Sequence, residues 1–244
     1  MTAETRLALF AGDPHDCAYL DDRLSTLHYV NPGATLDPTL FGALLQLGFR
    51  RSGSFVYRPG CSPCRRCIAA RLPVDGFVPN RNQRRTLRRN ADLAVSDVPA
   101  ELTDEHIDLY ARYISDRHPG GGMDAGPPGA CRDFLLADWC DTRLLDLRLD
   151  GRLVSTAVTD TVPGALSAIY TFFDPDLAAR SLGTFSVLAQ IDRAAALGAS
   201  HLYLGYWIAG SSKMQYKERF RPIELLVDGN WTRYEAGQPL PCPP

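Results

Sequence analysis

The sequence lacks any long apolar run, any internal repeat and any tail massed with proline or glycine. A membrane-spanning helix needs about 20 consecutive apolar residues, and no stretch reaches that length. The first residues are broken by acids and by Pro14, which is not the pattern of a secretory signal peptide. These absences predict an ordered, cytoplasmic protein that does not enter a membrane.

Cysteine is too sparse for a disulfide framework, since the chain holds seven in 244 residues. In a reducing compartment such cysteines are thiols, metal ligands or catalytic groups. The chain is 45% hydrophobic, which is enough for one large domain or two small ones with a proper core.

The net charge is also small, at −2, so it does not indicate whether the protein binds nucleic acid. The distribution is uneven. Residues 1–49 hold two arginines against six acids, whereas residues 50–90 hold eleven arginines and a single acid, Asp75. A neutral total therefore conceals a strongly basic middle.

The apolar pattern predicts helices over residues 35–49, 79–93, 103–117 and 183–197, and a short helix around Phe134. Residues 118–130 are too rich in glycine and proline for a regular element. In the third helix we expect Thr103 as N-cap and an apolar stripe of Ile107, Tyr110 and Ile114.

Strands alternate with turns elsewhere. "SFVYRPGCSPCRRCIAARLPV" reads as strand, cysteine-bearing turn and strand, and Asp150-Gly151 and Pro163-Gly164 are turn signals between alternating segments. The second half runs strand, strand, strand, helix, strand, with the turn "RSLG" at the helix start. Phe185 stands where acyl-CoA N-acyltransferases usually have a small residue after that turn.

This order predicts an α+β fold: a mixed sheet of the N-acyltransferase (GNAT) type flanked by helices, preceded by a cysteine-bearing region. We expect residues 1–95 to form the cysteine-bearing and basic region and residues 96–235 the GNAT-like domain. Fold alone does not determine function.

The spacing "CSPCRRC" lets three thiolates, those of Cys61, Cys64 and Cys67, converge on one ion, and Cys17 could supply a fourth. Zinc and an iron–sulfur cluster both fit three thiolates at this spacing. The alternative is a set of reduced thiols, some of them packed in the interior. Spacing does not decide between them.

The segment "NRNQRRTLRRN" places five guanidinium groups on one face of a helix, with no acid on the same stretch. Phosphates would relieve their mutual repulsion and accept bidentate hydrogen bonds. The alternative is a solvated basic face. We expect contact with nucleic acid through Arg81, Arg84, Arg85, Arg88 and Arg89.

Five segments in this order resemble the aminoacyl-tRNA–protein transferases, the bacterial aspartate/glutamate leucyltransferases above all and the eukaryotic arginyl-tRNA–protein transferases more distantly. They are "CAYLDDRLSTLHYV", "GFRRSGSFVYRPGCSPCRRCIAARLPV", "NRNQRRTLRRNADL", "ARSLGTFSVLAQI" and "HLYLGYWIAGSSKMQYKERFRPIELL". The resemblance implies transfer of leucine from leucyl-tRNA to the α-amino group of proteins that begin with Asp or Glu, which marks them for degradation.

In that reaction an amine attacks an activated ester, so positioning can supply most of the acceleration and no cofactor is required. Backbone N–H groups at Ser181 and Gly183 would face a phosphate or the oxyanion. An acidic acceptor needs a cation, for which Arg58 and Arg71 are the candidates. The groups expected to orient the amine, relay its proton or stabilise the oxyanion are Tyr170, Asp174, Tyr206, Lys213 and Lys217.

Three alternatives stay open on the residues. Arginine in place of leucine as the donor is the closest one. An ordinary acyl-CoA N-acyltransferase would keep the fold and leave the arginine helix unexplained. A non-catalytic module that binds RNA through a cysteine-ligated metal would explain residues 50–90 and ignore the last third of the chain.

Overall fold

The computed structural model describes residues 6–117 and 129–243. Its helices are α1 (Pro38–Gln46), α2 (Arg81–Arg89), α3 (Asp104–Arg117), α4 (Ala130–Leu135) and α5 (Leu182–Ala196). The strands are β1 (Leu9–Ala11), β2 (His15–Asp16), β3 (Leu24–Ser25), β4 (Leu27–Val30), β5 (Arg50–Ser52), β6 (Phe55–Pro59), β7 (Ile68–Pro73), β8 (Ala94–Pro99), β9 (Asp141–Leu149), β10 (Arg152–Val162), β11 (Ala165–Phe173), β12 (His201–Trp207), β13 (Ile223–Val227) and β14 (Asn230–Tyr234).

The largest sheet has eight strands in the order β14-β13-β7-β12-β11-β10-β9-β8. Its described pairings are antiparallel except that of β11 with β12. Strand β7, which follows the cysteine-bearing turn, lies inside this sheet between β13 and β12. The predicted turn at Asp150-Gly151 is confirmed, with both residues at positive φ, as a two-residue hairpin between β9 and β10 requires.

Helices cover both faces of this sheet, because successive side chains of a strand point to opposite sides. On β9, Leu144 packs in one core cluster with α3 and α4, and Leu145 packs in another with α5. A mixed sheet flanked by helices is thus confirmed. No helix within the described ranges has the length and apolar composition that a bilayer crossing needs.

The parallel strands β11 and β12 stay paired for only three residues each. Ala165–Ser167 pair with His201–Tyr203, and beyond that point β11 continues to Phe173 and β12 to Trp207 without pairing with each other. Helix α5 connects the two strands and packs against both. The strands therefore part and leave a gap in the sheet at their carboxyl ends.

A second, four-stranded sheet in the order β1-β4-β6-β5 lies beside the first. It shares a core cluster with α1 and with β10 and β12, in which Phe41, Leu45, Val56 and Tyr203 are buried. This packing brings β5 against the large sheet.

The predicted helices are confirmed, the first three with shorter bounds and the last shifted by one residue, but the apolar stripe of the third was partly wrong. Tyr110 and Ile114 are buried, whereas Ile107 is 44% exposed and His106 takes the inner position. The ring of His106 fits there because its Nε2 meets the Asp146 carboxylate at 3.1 Å and its Nδ1 meets the Thr103 hydroxyl at 2.7 Å. The expectation for residues 118–130 falls almost wholly outside the described residues.

Candidate active site

The gap between β11 and β12 is occupied by the side chain of Arg50, which comes from β5 of the smaller sheet. Its Nη1 donates to Ser167 Oγ at 3.0 Å, and its Nη2 donates to the Ala168 carbonyl at 2.5 Å. From the other side it lies against Gly205 of β12. An ideal Cβ at that glycine would be 3.1 Å from Arg50 Nε, and the glycine has φ +79°. A residue with a side chain would be strained there and would crowd the guanidinium.

Arg50 carries a buried positive charge that no carboxylate contacts within the described residues, although the charge of Asp160 acts on it from a greater distance. The residue is only 8% exposed, and no carboxylate oxygen in the described part of the chain lies within 4.0 Å of it. Burial lowers the pKa of Arg50, because taking the charge out of water is unfavourable. Such a group is costly in a fold unless something compensates it.

Its neighbour Arg51 is also buried but fully paired. Its Nε and Nη2 bind the two carboxylate oxygens of Asp160 at 2.5 and 2.6 Å, and its Nη1 donates to the Leu135 carbonyl at 3.0 Å. Thr142 also donates to Asp160, at 2.7 Å. Arg51 therefore has a complete structural role, which its neighbour Arg50 does not.

Lys217 is a further buried cation of the region, at 2% exposure, in the 3-10 turn Gln215–Arg219. Its Nζ contacts Met214 Sδ at 3.1 Å and lies 4.6 Å from the ring centre of Tyr216, which is 39% exposed. Burial, with a smaller contribution from Arg50, lowers the pKa of Lys217 to about 7. A substantial fraction of this amine is therefore neutral at neutral pH.

The other predicted catalytic groups lie in different surroundings. Tyr206 donates its hydroxyl to the Gly48 carbonyl at 2.8 Å, and burial raises its pKa well above the usual value. The hydroxyl of Tyr170 is buried, with no hydrogen-bond partner in the described ranges, and burial raises its pKa. Both phenols hold their protons tightly. Lys213 is exposed.

Asp174 directly follows β11, and its carboxylate is held by Arg112 and Arg152. Burial by itself would raise the pKa of Asp174, but the hydrogen bonds and charges of these arginines lower it overall. A carboxylate so stabilised is a weak base, and the arrangement favours a structural role for it.

Of the two arginines predicted to bind an acidic acceptor, Arg71 already has a carboxylate. Its Nε donates to Glu224 Oε2 at 2.7 Å, and its Nη1 donates to Gln46 Oε1 at 2.8 Å. The guanidinium of Arg58 lies 4.9 Å from the ring centre of Phe49. Neither of them is in the gap between β11 and β12.

Helix α2 begins with a capping box, in which the side chains of Asn80 and Gln83 bond to each other's backbone N–H groups. Gln83 and Thr86 face inward. Its five arginines are exposed, and none has a carboxylate within 4.0 Å in the described ranges, as the acid-free sequence predicts. They are Arg81, Arg84, Arg85, Arg88 and Arg89.

Both ends of α2 are fastened to segments that hold candidate catalytic groups. At its start, Asn80 Nδ2 and Gln83 Nε2 donate to the Arg219 carbonyl at 3.2 and 3.1 Å, in the turn that carries Lys217. At its end, Asn90 Nδ2 donates to the Arg180 carbonyl at 2.9 Å, at the start of the "RSLG" turn. The basic face thus lies between the two segments.

The "RSLG" turn leads into α5 through Ser181, which has φ +56°. The backbone N–H of Ser181 donates a hydrogen bond to the Ala178 carbonyl. The N–H groups of Leu182 and Gly183 have no protein acceptor in the described part of the chain. An ideal Cβ at Gly183 would be 3.1 Å from the Phe173 ring. The first turn of α5 therefore offers two N–H groups to an oxyanion or phosphate.

The four cysteines predicted as ligands gather in one region. Burial and then the proximity of Cys61, Cys17 and Cys64 raise the pKa of Cys67 to about 12. Their sulfur atoms do not converge, however: within the described residues no three His, Cys, Asp or Glu side chains form a group that could hold a metal ion. All four are free thiols.

Arg50 and Tyr216 are the residues of this region that sequence reasoning missed. No local pattern points to Arg50, because its burial depends on partners more than a hundred residues further along the chain. Lys217, by contrast, is one of the sequence-based candidates, and the chain has only one other lysine, Lys213, four residues before it.

Comparisons with known proteins identify relatives of the chain. Residues 15–85 match the family described as "Arginine-tRNA-protein transferase, N terminus", and residues 105–227 match its C-terminal counterpart. The chain is 50% identical over 225 residues to the aspartate/glutamate leucyltransferase of Marinobacter nauticus, covering 92% of this chain and 95% of that protein. It is 45% identical over 231 residues to the protein of that name from Pseudomonas fluorescens, covering 95% and 98%.

Solved structures with a weaker likeness include the C-terminal domain of a putative lysylphosphatidylglycerol synthetase from Agrobacterium fabrum. It is 14% identical and covers 69% of this chain and 52% of that one. FemX is 11% identical, with coverage of 85% and 81%. Both have a TM-score of 0.46, which is too low to assign the fold.

Proposed function

Since the chain belongs to the arginine-tRNA-protein transferase family, we propose that it transfers leucine from leucyl-tRNA to the N-terminal amine of proteins that begin with Asp or Glu. Membership makes the protein an aminoacyl-tRNA–protein transferase. The names of relatives 44–50% identical over nearly the whole chain support leucine as the donor amino acid. We place the reaction in the cytoplasm, the compartment of its tRNA donor.

The observation that carries this proposal is the attachment of α2. Five exposed arginines without carboxylate partners lie on a helix that is hydrogen-bonded at one end to the turn carrying Lys217 and at the other to the "RSLG" turn. Phosphates of an acceptor stem on that face would be held without reading sequence. The esterified 3′ end of the tRNA would then reach the space between the turn that carries Lys217 and the "RSLG" turn.

The chemistry asked of the site is aminolysis of an ester, in which the acceptor amine must lose a proton. An N-terminal amine has a pKa of about 8, so it is largely protonated at neutral pH. We assign Lys217 to accept that proton, because it is partly neutral there and is buried next to the gap. The N–H groups of Leu182 and Gly183 would stabilise the oxyanion that forms on the ester carbonyl.

We further propose that the large sheet is of the N-acyltransferase type. The support is topological: three antiparallel strands are followed by a helix that leads to a parallel strand, and the two parallel strands part beside the start of that helix. This gap is where acyl donor and acceptor amine would meet.

The cysteine-bearing region is the place for a metal with a structural role. We propose zinc or an iron–sulfur cluster at Cys17, Cys61, Cys64 and Cys67, three of which come from one short turn. Closing the site would need their sulfurs to move together. Metal analysis of the purified protein and of Cys64→Ser tests this, and equal metal content in the two would refute it.

The transfer reaction is tested with leucyl-tRNA and arginyl-tRNA, each radiolabelled on the amino acid, and peptides beginning with Asp, Glu, Lys or Ala. We expect label to pass from leucyl-tRNA to the Asp and Glu peptides only. Label from arginyl-tRNA would reassign the donor, and label on the Lys peptide alone would reassign the acceptor. Transfer from neither tRNA would overturn the proposed function.

A further inference from the structure

We propose that Arg50 binds the side-chain carboxylate of the acceptor's N-terminal Asp or Glu, and that it is the residue that selects acidic acceptors. This assignment rests on the proposed function, because it identifies the substrate group that its acceptor site recognises. It differs from the sequence-based candidates Arg58 and Arg71.

The first argument is that no carboxylate of the described chain contacts the guanidinium of Arg50. Arg50 is more than nine-tenths buried, and no carboxylate of the described chain lies within 4.0 Å of it. The adjacent Arg51 shows what the same fold does for a structural arginine, since it holds Asp160 by two hydrogen bonds. A buried guanidinium left without an anion is suited to receive one from a substrate.

The second argument is the number of donors left over. A guanidinium has five N–H groups, and Arg50 commits one to Ser167 Oγ and one to the Ala168 carbonyl. These two bonds fix the orientation of the group and leave the others for a ligand. The pair of bonds therefore positions Arg50 for recognition without saturating it.

The third argument is location. Arg50 lies in the gap where β11 and β12 part, and it is near enough to Lys217 to contribute to lowering its pKa. In an N-terminal Asp or Glu, only two or three carbons separate the amine nitrogen from the carboxylate carbon. A cation for the carboxylate must therefore lie close to the group that takes the amine's proton.

The fourth argument is that the other candidate cations are committed or misplaced. Arg71 is bound to Glu224, and Arg51 is bound to Asp160. The arginines of α2 are on the outer surface. Gly205 completes the arrangement, since a side chain there would crowd the guanidinium.

The test measures kcat/KM for four peptides that differ only in the first residue, Asp, Asn, Glu or Gln, with wild type, Arg50→Gln and Arg50→Lys. We expect Arg50→Gln to lose about 10- to 100-fold on the Asp and Glu peptides, because a hydrogen-bonded charge pair is lost. Transfer to the Asn and Gln peptides should fall much less, because losing the charge of Arg50 affects them only through the pKa of Lys217, which acts equally on all four peptides. Arg50→Lys should recover part of the loss, since it restores the positive charge but not the paired N–H donors of the guanidinium.

Binding is measured in parallel, so that the outcome does not depend on leucine transfer. The melting temperature of the wild type should rise with an excess of the Asp peptide and not with the Asn peptide. Affinity for leucyl-tRNA should be the same in wild type and Arg50→Gln. Arg233→Gln, an exposed arginine paired with Glu235, serves as the control for the loss of one positive charge.

An unchanged ratio of Asp to Asn activity in Arg50→Gln would overturn the proposal. Weaker leucyl-tRNA binding with that ratio unchanged would instead assign Arg50 to an RNA phosphate. If Arg50→Gln does not fold, Arg50→Lys is measured in its place. A ratio of Asp to Asn activity equal to that of the wild type would then overturn the proposal. Absence of transfer by every protein would refute the proposed function alone, because selective stabilisation by the Asp peptide would still support Arg50.

Discussion

Two arginine-rich regions lie within forty residues of each other and behave in opposite ways. On α2 the five arginines are exposed and lack carboxylate partners in the described ranges, whereas on β5 both arginines are buried and one is paired with Asp160. Arginine density in the sequence therefore marks two different kinds of site: a surface that can hold a polyanion by many weak contacts, and an interior position that can hold one carboxylate by a few strong ones.

The comparison within β5 is sharper. Arg51 and Arg50 share a strand and are both buried, yet Arg51 contacts a carboxylate and Arg50 contacts none among the residues that the structure describes. Removing the partner of Arg51 should affect folding, and removing Arg50 should affect substrate selection. The charge partner, rather than burial, separates a structural arginine from a functional one.

The largest effect we expect is from Asp160→Asn. It leaves Arg51 buried without a counter-ion, and breaking such a pair costs about 3–5 kcal/mol of unfolding free energy. Urea denaturation monitored by circular dichroism measures it. The double variant Arg51→Met with Asp160→Leu is the control, because apolar residues of similar size remove both charges. Equal losses of unfolding free energy in the single and double variants would show that packing, not the charge pair, provides the stability.

The second effect concerns α2. Replacing Arg84, Arg85 and Arg88 together by glutamine should reduce the salt dependence of leucyl-tRNA binding. Three lost phosphate contacts flatten the slope of log K against log salt by about 2.7, so the variant should lose about 40-fold less affinity than wild type between 50 and 200 mM salt. Fluorescence titration measures both slopes. Equal slopes would remove α2 from the tRNA site.

Some features of the two arginine-rich regions and of the fold could be predicted from local sequence, and others could not. The α2 helix follows from its capping residues and acid-free face, and the β9–β10 hairpin follows from Asp150-Gly151. Both depend on interactions between residues close in the chain. The burial of Arg50 and Arg51 depends instead on partners more than a hundred residues away, which no local pattern specifies.

The same limit applies to β7 and Phe185. Strand β7 pairs with β12 and β13, over 120 residues further on, so its place in the large sheet could not be predicted from its own sequence. Phe185 follows the "RSLG" turn at a position where a small residue is usual, and its side chain is buried in the cluster with Leu145 and Leu182. Its size therefore reflects core packing.

The third effect is on the pH dependence of stability. The pKa of Lys217 is about 7 in the folded chain, against 10.5 for an ordinary lysine. Between these values the unfolded chain binds more protons, so the stability of wild type should rise with pH, by at most about 1.4 kcal/mol per pH unit. The penalty for burying the charged amine is complete below pH 7. Above that pH it is progressively relieved.

Lys217→Met isolates this contribution, because methionine has a similar length and no charge. The difference in unfolding free energy between variant and wild type, measured by urea denaturation at intervals from pH 6 to 10, should shrink as the pH rises. A difference that stays constant would show that Lys217 titrates normally in the folded protein. The basis for assigning it the acceptor's proton would then be gone.

The smallest effect we expect is from Arg233→Gln, which contrasts an exposed arginine that has a partner with the unpartnered ones of α2. Arg233 and Glu235 form an ion pair in which both side chains are about half exposed, at 46% and 56%. Such pairs contribute about 0–1 kcal/mol, since solvent screens the charges. The melting temperature and the slope of log K against log salt should both match wild type within error. A salt slope reduced as much as by one α2 arginine would mean that tRNA contacts this edge of the sheet too, and that a missing partner is not what distinguishes α2.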